Sequence, residues 1–259
     1  MSDLHVDWSG GGPPLIVLHG WAMHGGLLAP LVPALSATFR VAVVDLPGHG
    51  HSAAMPAASL DAIVSALAAR FADIGLPLRV LGWSLGAAVA LRWARLAPQQ
   101  VGRLVLVGAT PRFVAASDWP HAMAPETLAR FGDELAVAYR LTLQRFLTLQ
   151  MQGSDAGRAA LHELRGAIFA RGEPGAANLR TALAMLQAID LRDDASQVIA
   201  PTLIVSGDRD TLTTAAAGAW LAAAMPAARQ VLIKGAAHAP FLSHRAAFDA
   251  AVLPFLDEY

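Results

Sequence analysis

Six short, continuously apolar runs rich in β-branched residues recur along this chain, at positions 15–18, 41–44, 80–81, 104–107, 203–205 and 231–233. Runs this short, with no polar alternation, suit strands covered on both faces of a parallel sheet. Stretches with helical spacing lie between them, such as 60–74 and 87–96. Strand, helix and strand repeated in this way predict a doubly wound, mostly parallel α/β sheet. The alternation stops once. From 111 to 190 no buried run occurs, and helical patterns such as 134–151 and 159–171 take over, punctuated by Gly153, Gly157, Gly172 and Gly175. We therefore expect a core built from 1–110 and 191–259 with a helical lid, 111–190, inserted into it. A chain of 259 residues, 55% apolar and 15% charged, is large enough for one such domain with its insert. The alanine-rich stretch 215–224 reads as helix, and no internal repeat is present.

The chemistry concentrates after the strands. Gly82-Trp83-Ser84-Leu85-Gly86 follows the run ending at Leu81 and precedes a helical pattern. A G-x-S-x-G in that setting predicts a nucleophile elbow, a sharp turn that lifts the serine hydroxyl above the sheet edge. A serine hydroxyl is a weak nucleophile and needs a base and an orienting acid, which in this fold follow in the order Ser, Asp, His. After the run 203–205 comes Gly207-Asp208-Arg209-Asp210, and after 231–233 comes Gly235-Ala236-Ala237-His238. His238 is the expected base. Asp208 and Asp210 compete for the acid; the spacing Gly207-x-x-Asp210 favours Asp210, and Asp208 reads as a turn residue. His19-Gly20-Trp21 follows the first run, so the backbone N–H groups of Trp21 and Leu85 are the expected oxyanion donors, with His19 holding the loop. Trp21, Trp83, Trp119 and Phe146 are candidate walls of an apolar pocket.

Several classes are excluded. Nineteen basic and twenty acidic residues leave a net charge of −1, so no global positive field draws the chain to nucleic acid or anionic lipid. No cysteine means no disulfide, no thiolate nucleophile and no cysteine-ligated metal, as fits a reducing cytoplasm. The first twelve residues lack the basic-then-apolar pattern of a signal peptide, and no run reaches the roughly 18 apolar residues of a spanning helix. The loop Asp45-Leu46-Pro47-Gly48-His49-Gly50-His51-Ser52 holds two histidines without a third ligand at helical spacing, so we expect no metal. No dinucleotide fingerprint or P-loop is present, and we expect no cofactor.

The set His19-Gly20-Trp21, Asp45-x-Pro47-Gly48-x-Gly50-x-Ser52, Gly82-Trp83-Ser84-Leu85-Gly86, Gly207-x-x-Asp210 and Ala237-His238-Ala239-Pro240-Phe241 resembles the α/β-hydrolase superfamily along essentially the whole chain. More narrowly, Trp119-Pro120, Arg145-Phe146-Leu147-x-Leu149-Gln150, Asp190-Leu191-Arg192 and the continuation to Ser243-His244 resemble the pimeloyl-acyl-carrier-protein methyl ester carboxylesterases of biotin synthesis. That resemblance implies a monomeric cytoplasmic esterase whose partner is an acidic acyl carrier protein bearing the ester. It also implies carrier docking on basic lid residues, with Phe146 lining the acyl channel. Arg145 and Arg158 stand where that pattern has arginine, His162 replaces another, and Arg140 is displaced by one position, about 100 degrees around a helix. Between 136 and 171, five arginines face Asp155 and Glu163, a local excess of +3. The alternatives left by the residues are a broad carboxylesterase, a carbon–carbon bond hydrolase, and a non-catalytic ligand receptor on the same fold.

Overall fold

The computed structural model describes residues 3–55, 58–75, 77–154, 156–172 and 175–258; Asp155 of the lid charge count lies outside them. Seven strands form one sheet in the order β1-β3-β2-β4-β5-β6-β7. They are β1 (Val6–Ser9), β2 (Pro14–Leu18), β3 (Arg40–Val44), β4 (Leu78–Trp83), β5 (Val101–Val107), β6 (Thr202–Gly207) and β7 (Ala228–Ile233). The six apolar runs became β2 to β7, all mutually parallel. β1 was not foreseen. Its sequence, Val-Asp-Trp-Ser, is half-buried throughout and runs antiparallel to β3 from Val6 opposite Val44 to Ser9 opposite Val41. The expectation of burial on both faces fails at β7, where Leu232 is 47% exposed because the strand closes the far edge.

Helices cover this sheet. A 3-10 turn (Gly25–Leu31) leads into α1 (Val32–Leu35). α2 (Leu60–Arg70) starts where the Ser59 side chain accepts the Ala62 N–H, and it buries Ile63, Val64 and Leu67. It stops short of the expected 74. α3 (Leu85–Leu96) packs on α2, β4 and β5 and is buried along most of its length. That burial explains why alanine fills it: Ala87, Ala88, Ala90 and Ala94 let helix and sheet approach closely. Between β5 and β6 the chain forms α4 (Pro125–Val137), α5 (Tyr139–Met151), α6 (Gly157–Ala167) and α7 (Ala176–Ala188). The single helix expected over 134–151 is broken at Ala138, whose backbone leaves helical geometry at φ −135 and ψ 53.

This four-helix excursion has a narrow neck. Leu191 N–H donates to Pro111 O at 2.8 Å, Arg112 and Asp190 form an isolated antiparallel bridge, and their side chains pair at 3.1 Å. Beyond it come α8 (Arg192–Ala195), α9 (Ala215–Ala224), α10 (Pro240–Ser243) and α11 (Arg245–Asp257). α11 buries Phe248, Val252, Phe255 and Leu256 and contacts β5, β6 and β7. Among the described residues, no helix is long and apolar enough to cross a membrane.

Candidate active site

Ser84 stands between β4 and α3 with φ 56 and ψ −115. A positive φ costs a side-chain-bearing residue of order 1–3 kcal/mol and persists only where its surroundings enforce it. The flanking glycines make the turn possible. A Cβ at Gly82 would lie 2.2 Å from Gly86 O, and one at Gly86 would lie 2.5 Å from Leu18 O. The Ser84 N–H donates to Val107 O at 2.9 Å, tying the turn to the end of β5.

Asp210 and His238 meet at the carboxyl ends of β6 and β7. His238 Nδ1 lies 2.8 Å from Asp210 Oδ2, with the imidazole 2% exposed and the carboxylate side chain fully buried. Asp210 Oδ1 accepts the N–H groups of Leu212 and Thr213 at 2.9 and 3.0 Å, and Oδ2 also accepts the Thr213 hydroxyl at 2.8 Å. Burial alone would raise this carboxyl. The His238 charge and hydrogen bond, with the Thr213 donors, outweigh burial and hold Asp210 below the ordinary carboxylate range. Asp208 is exposed and accepts the Gly235 N–H at 2.7 Å, so it pins the turn after β7 and stays away from the imidazole.

The loop of His19, Gly20 and Trp21 lies against Ser84, since a Cβ at Gly20 would be 3.3 Å from Ser84 Cβ. His19 fixes this loop. Its Nδ1–H donates to Gly20 O at 2.8 Å, while its Nε2 accepts the Leu46 N–H at 2.9 Å. Gly20 C=O and Trp21 N–H belong to one peptide plane, so the bond from His19 also sets where the Trp21 N–H points. Burial and the neighbouring His49 push the His19 imidazole down to about 3, keeping it neutral. Leu85 is the first residue of α3, a position whose N–H has no acceptor within the helix. Behind the loop sits buried Asp45, which accepts Gly25 N–H at 2.6 Å, His51 N–H at 2.9 Å and Arg171 Nη1 at 3.0 Å. Arg171 also pairs with Asp7 and so ties the segment after α6 to β1.

Ser84 and His238 share the wall of a cavity of about 570 Å³. Its walls are mostly apolar, with Trp21, Phe131, Phe146, Leu183 and Leu186 among them. The Trp21 ring meets Phe131 and Phe146 edge-on at 5.4 and 5.1 Å. Phe113, Met123 and Leu212 line it too and had not been singled out in the sequence, since no motif marks them. Trp83 and Trp119 are corrections. Neither lines the cavity: Trp83 is buried against Phe241 and donates its indole N–H to His238 O at 2.9 Å. Trp119 packs edge-on against Trp220 and donates to Arg112 O at 3.0 Å. Trp83 ends β4 just before the turn at Ser84, and its ring is held by Phe241 and the His238 carbonyl.

The α5 helix supplies both the wall and part of the rim. Arg145 lines the cavity beside Arg130 and Glu134, 61% exposed, with Nη1 3.3 Å from Glu134 Oε2. That acidic neighbour was not anticipated. Arg140 is exposed, its guanidinium 5.3 Å above the Phe169 ring. Arg158 and His162 are exposed on α6. At the other end of α5, the Gln150 carbonyl accepts the His238 N–H at 3.0 Å, joining this helix directly to the His238 loop.

Comparison with known proteins follows this geometry. Residues 13–245 match the α/β-hydrolase fold family. A pimeloyl-(acyl-carrier protein) methyl ester esterase of Nitrosomonas europaea is 45% identical over 94% of this chain and 95% of its own length. Its namesake in Chromobacterium violaceum is 42% identical over 98% of both chains. Among solved structures, an esterase from Exiguobacterium antarcticum superposes with a TM-score of 0.89 at 20% identity, covering 99% of this chain and 96% of that one. At that identity the likeness speaks to the fold alone.

Proposed function

This chain belongs to the α/β-hydrolase fold family, and from that premise we propose that it is a serine carboxylesterase that hydrolyses the methyl ester of pimeloyl-acyl-carrier protein in biotin synthesis. Near-full-length identity of 42–45% to esterases carrying that name supports the substrate. The observation that carries the chemistry is the buried His238–Asp210 contact of 2.8 Å on the wall of the cavity that Ser84 also lines.

In this mechanism Ser84 Oγ attacks the ester carbonyl while His238 Nε2 takes its proton. Asp210 holds the Nδ1–H tautomer and stabilises the imidazolium that forms. The N–H groups of Trp21 and Leu85 receive the oxyanion, and losing one such donor typically costs about 100-fold or more in rate. His238 returns the proton to the departing methanol. Water activated by the same imidazole then releases the free acid from the acyl-serine. No redox or transfer cofactor enters these steps.

The acyl chain occupies the apolar cavity, whose volume falls in the range of small-ligand sites. Arg145 at its rim, with Arg140, Arg158 and His162 on the same lid, receives the acidic carrier. The protein acts as a cytoplasmic monomer, a reading its cysteine-free sequence fits.

The test compares kcat/KM for the carrier-bound methyl ester with that for free dimethyl pimelate, at low and high salt, by methanol release. We expect a preference for the carrier-bound ester that shrinks as salt screens the docking charges, and no turnover of either by folded Ser84→Ala. Equal, salt-insensitive rates would reduce the protein to a general carboxylesterase; normal activity in Ser84→Ala would end the serine mechanism.

A further inference from the structure

We propose that Thr213 is a positioning residue of the acid–base pair, its hydroxyl setting how tightly Asp210 holds the His238 imidazolium; this rests on the reading of Asp210 and His238 as acid and base. Three polar atoms close a triangle here. Asp210 Oδ2 lies 2.8 Å from both His238 Nδ1 and Thr213 Oγ1, and Thr213 Oγ1 lies 3.2 Å from His238 Nδ1. An ionised carboxylate only accepts, so the Thr213 hydroxyl donates to Oδ2 and turns its lone pairs towards Nδ1–H. The imidazole thereby shares its acceptor with a second donor.

The consequence follows from charge. Negative charge drawn from Oδ2 by the hydroxyl is charge withheld from the imidazolium, which favours the neutral base and extends its working range to lower pH. The remaining donors to Asp210, the Leu212 and Thr213 N–H groups, are backbone and bind Oδ1, so they survive a change of the Thr213 side chain. Thr213 is 1% exposed and also lines the cavity, which sets it between the acyl site and the acid. Among the described residues, Asp210 is the charged group bonded to the imidazole. The groups packed around it from other elements are Trp83 of β4, Gly108 after β5 and the Gln150 carbonyl of α5, and none carries a charge. Nothing in the sequence pattern marked Thr213, because the motif fixes only glycine and acid.

The experiment uses Thr213→Val, which keeps the shape and removes the hydroxyl, and Thr213→Ser, which keeps the hydroxyl. Dimethyl pimelate hydrolysis is followed from pH 5 to 9 beside thermal melts. In Thr213→Val we expect the acid limb of kcat/KM to move up by about half a pH unit or more. Thr213→Ser should return the acid limb to its wild-type position. An acid limb that stays in place or moves down overturns the proposal whatever kcat and Tm do, and so does a Thr213→Ser protein that behaves like Thr213→Val. Asp210→Asn serves as the control on the premise: if it keeps wild-type activity, the acid–base reading fails independently of Thr213.

Discussion

Two aspartates, separated by one arginine, illustrate how burial assigns roles at the scale of single residues. Asp210 is buried with four donors around its carboxylate, whereas Asp208 is exposed and takes one N–H from Gly235. Substituting each therefore separates chemistry from scaffolding. Asp210→Asn, which leaves the imidazole in the wrong tautomer, should lower kcat by about three to four orders of magnitude with the fold retained. Asp208→Ala should leave kcat within about twofold and lower unfolding stability by about 1 kcal/mol, the scale of one partly solvated hydrogen bond. Steady-state kinetics and urea melts on the two variants check both; a reversed pattern would move the acid to Asp208. The spacing after Gly207 already favoured this assignment. What spacing did not carry is which tertiary partners hold a ring, which is why Trp83 was expected beside the substrate and instead bonds the His238 carbonyl.

At the scale of elements, the α5 helix combines three tasks, of which the sequence pointed to two. It puts Phe146 on the cavity wall, Arg145 at the rim and the Gln150 carbonyl on His238. Phe146→Ala removes one ring from the cluster with Trp21 and Phe131 and leaves a wider channel. Losing about 1–2 kcal/mol of apolar contact should raise KM for dimethyl pimelate about tenfold while kcat changes less. Glu134→Gln probes the rim. It frees Arg145 from its 3.3 Å partner, so KM for the carrier-bound ester should fall at low salt while KM for dimethyl pimelate stays put. A rise in carrier KM would speak against docking at Arg145. The six parallel strands were legible because each is a short apolar run between helical patterns. β1 was not, since a half-buried four-residue edge strand containing an aspartate has no such signature. The break at Ala138 was equally silent, because neither glycine nor proline marks it.

At the scale of the whole molecule, protons link the fold to pH. Burial lowers His19, His24 and His49 from their ordinary value of 6.5, with His19 reaching about 3. In the unfolded chain these imidazoles take up protons near pH 6.5, while in the native protein each does so only at lower pH. Between those values the unfolded state binds more protons, so stability is full above 6.5 and falls as the solution is acidified. The His19 contribution alone is about 1.4 kcal/mol per pH unit between roughly pH 6 and 4. Unfolding free energies from urea titrations at pH 7, 6 and 5 should therefore decline with increasing slope, and His19→Gln should flatten that slope while starting from a lower value. A stability that is constant from pH 7 to 5 would mean these rings take up protons in the native protein just as they do in the unfolded chain. Asp45 adds to the loss further down. Burial opposes its ionisation, but the His51 and Gly25 N–H groups and Arg171 overcome that, and its stabilising charge disappears only as pH falls below the ordinary carboxylate range.

The pinched neck at Pro111, Arg112, Asp190 and Leu191 reaches further than local packing. A segment whose two ends meet behaves as a cassette. Its length can vary while β5 and β6 keep their register, so long as one of its helices still offers His238 the carbonyl that Gln150 supplies. Heredity can then rewrite what such a catalyst accepts, and a chimera carrying another hydrolase's helices between positions 111 and 190 should keep cutting, with a different appetite, only where those helices still hold the His238 loop.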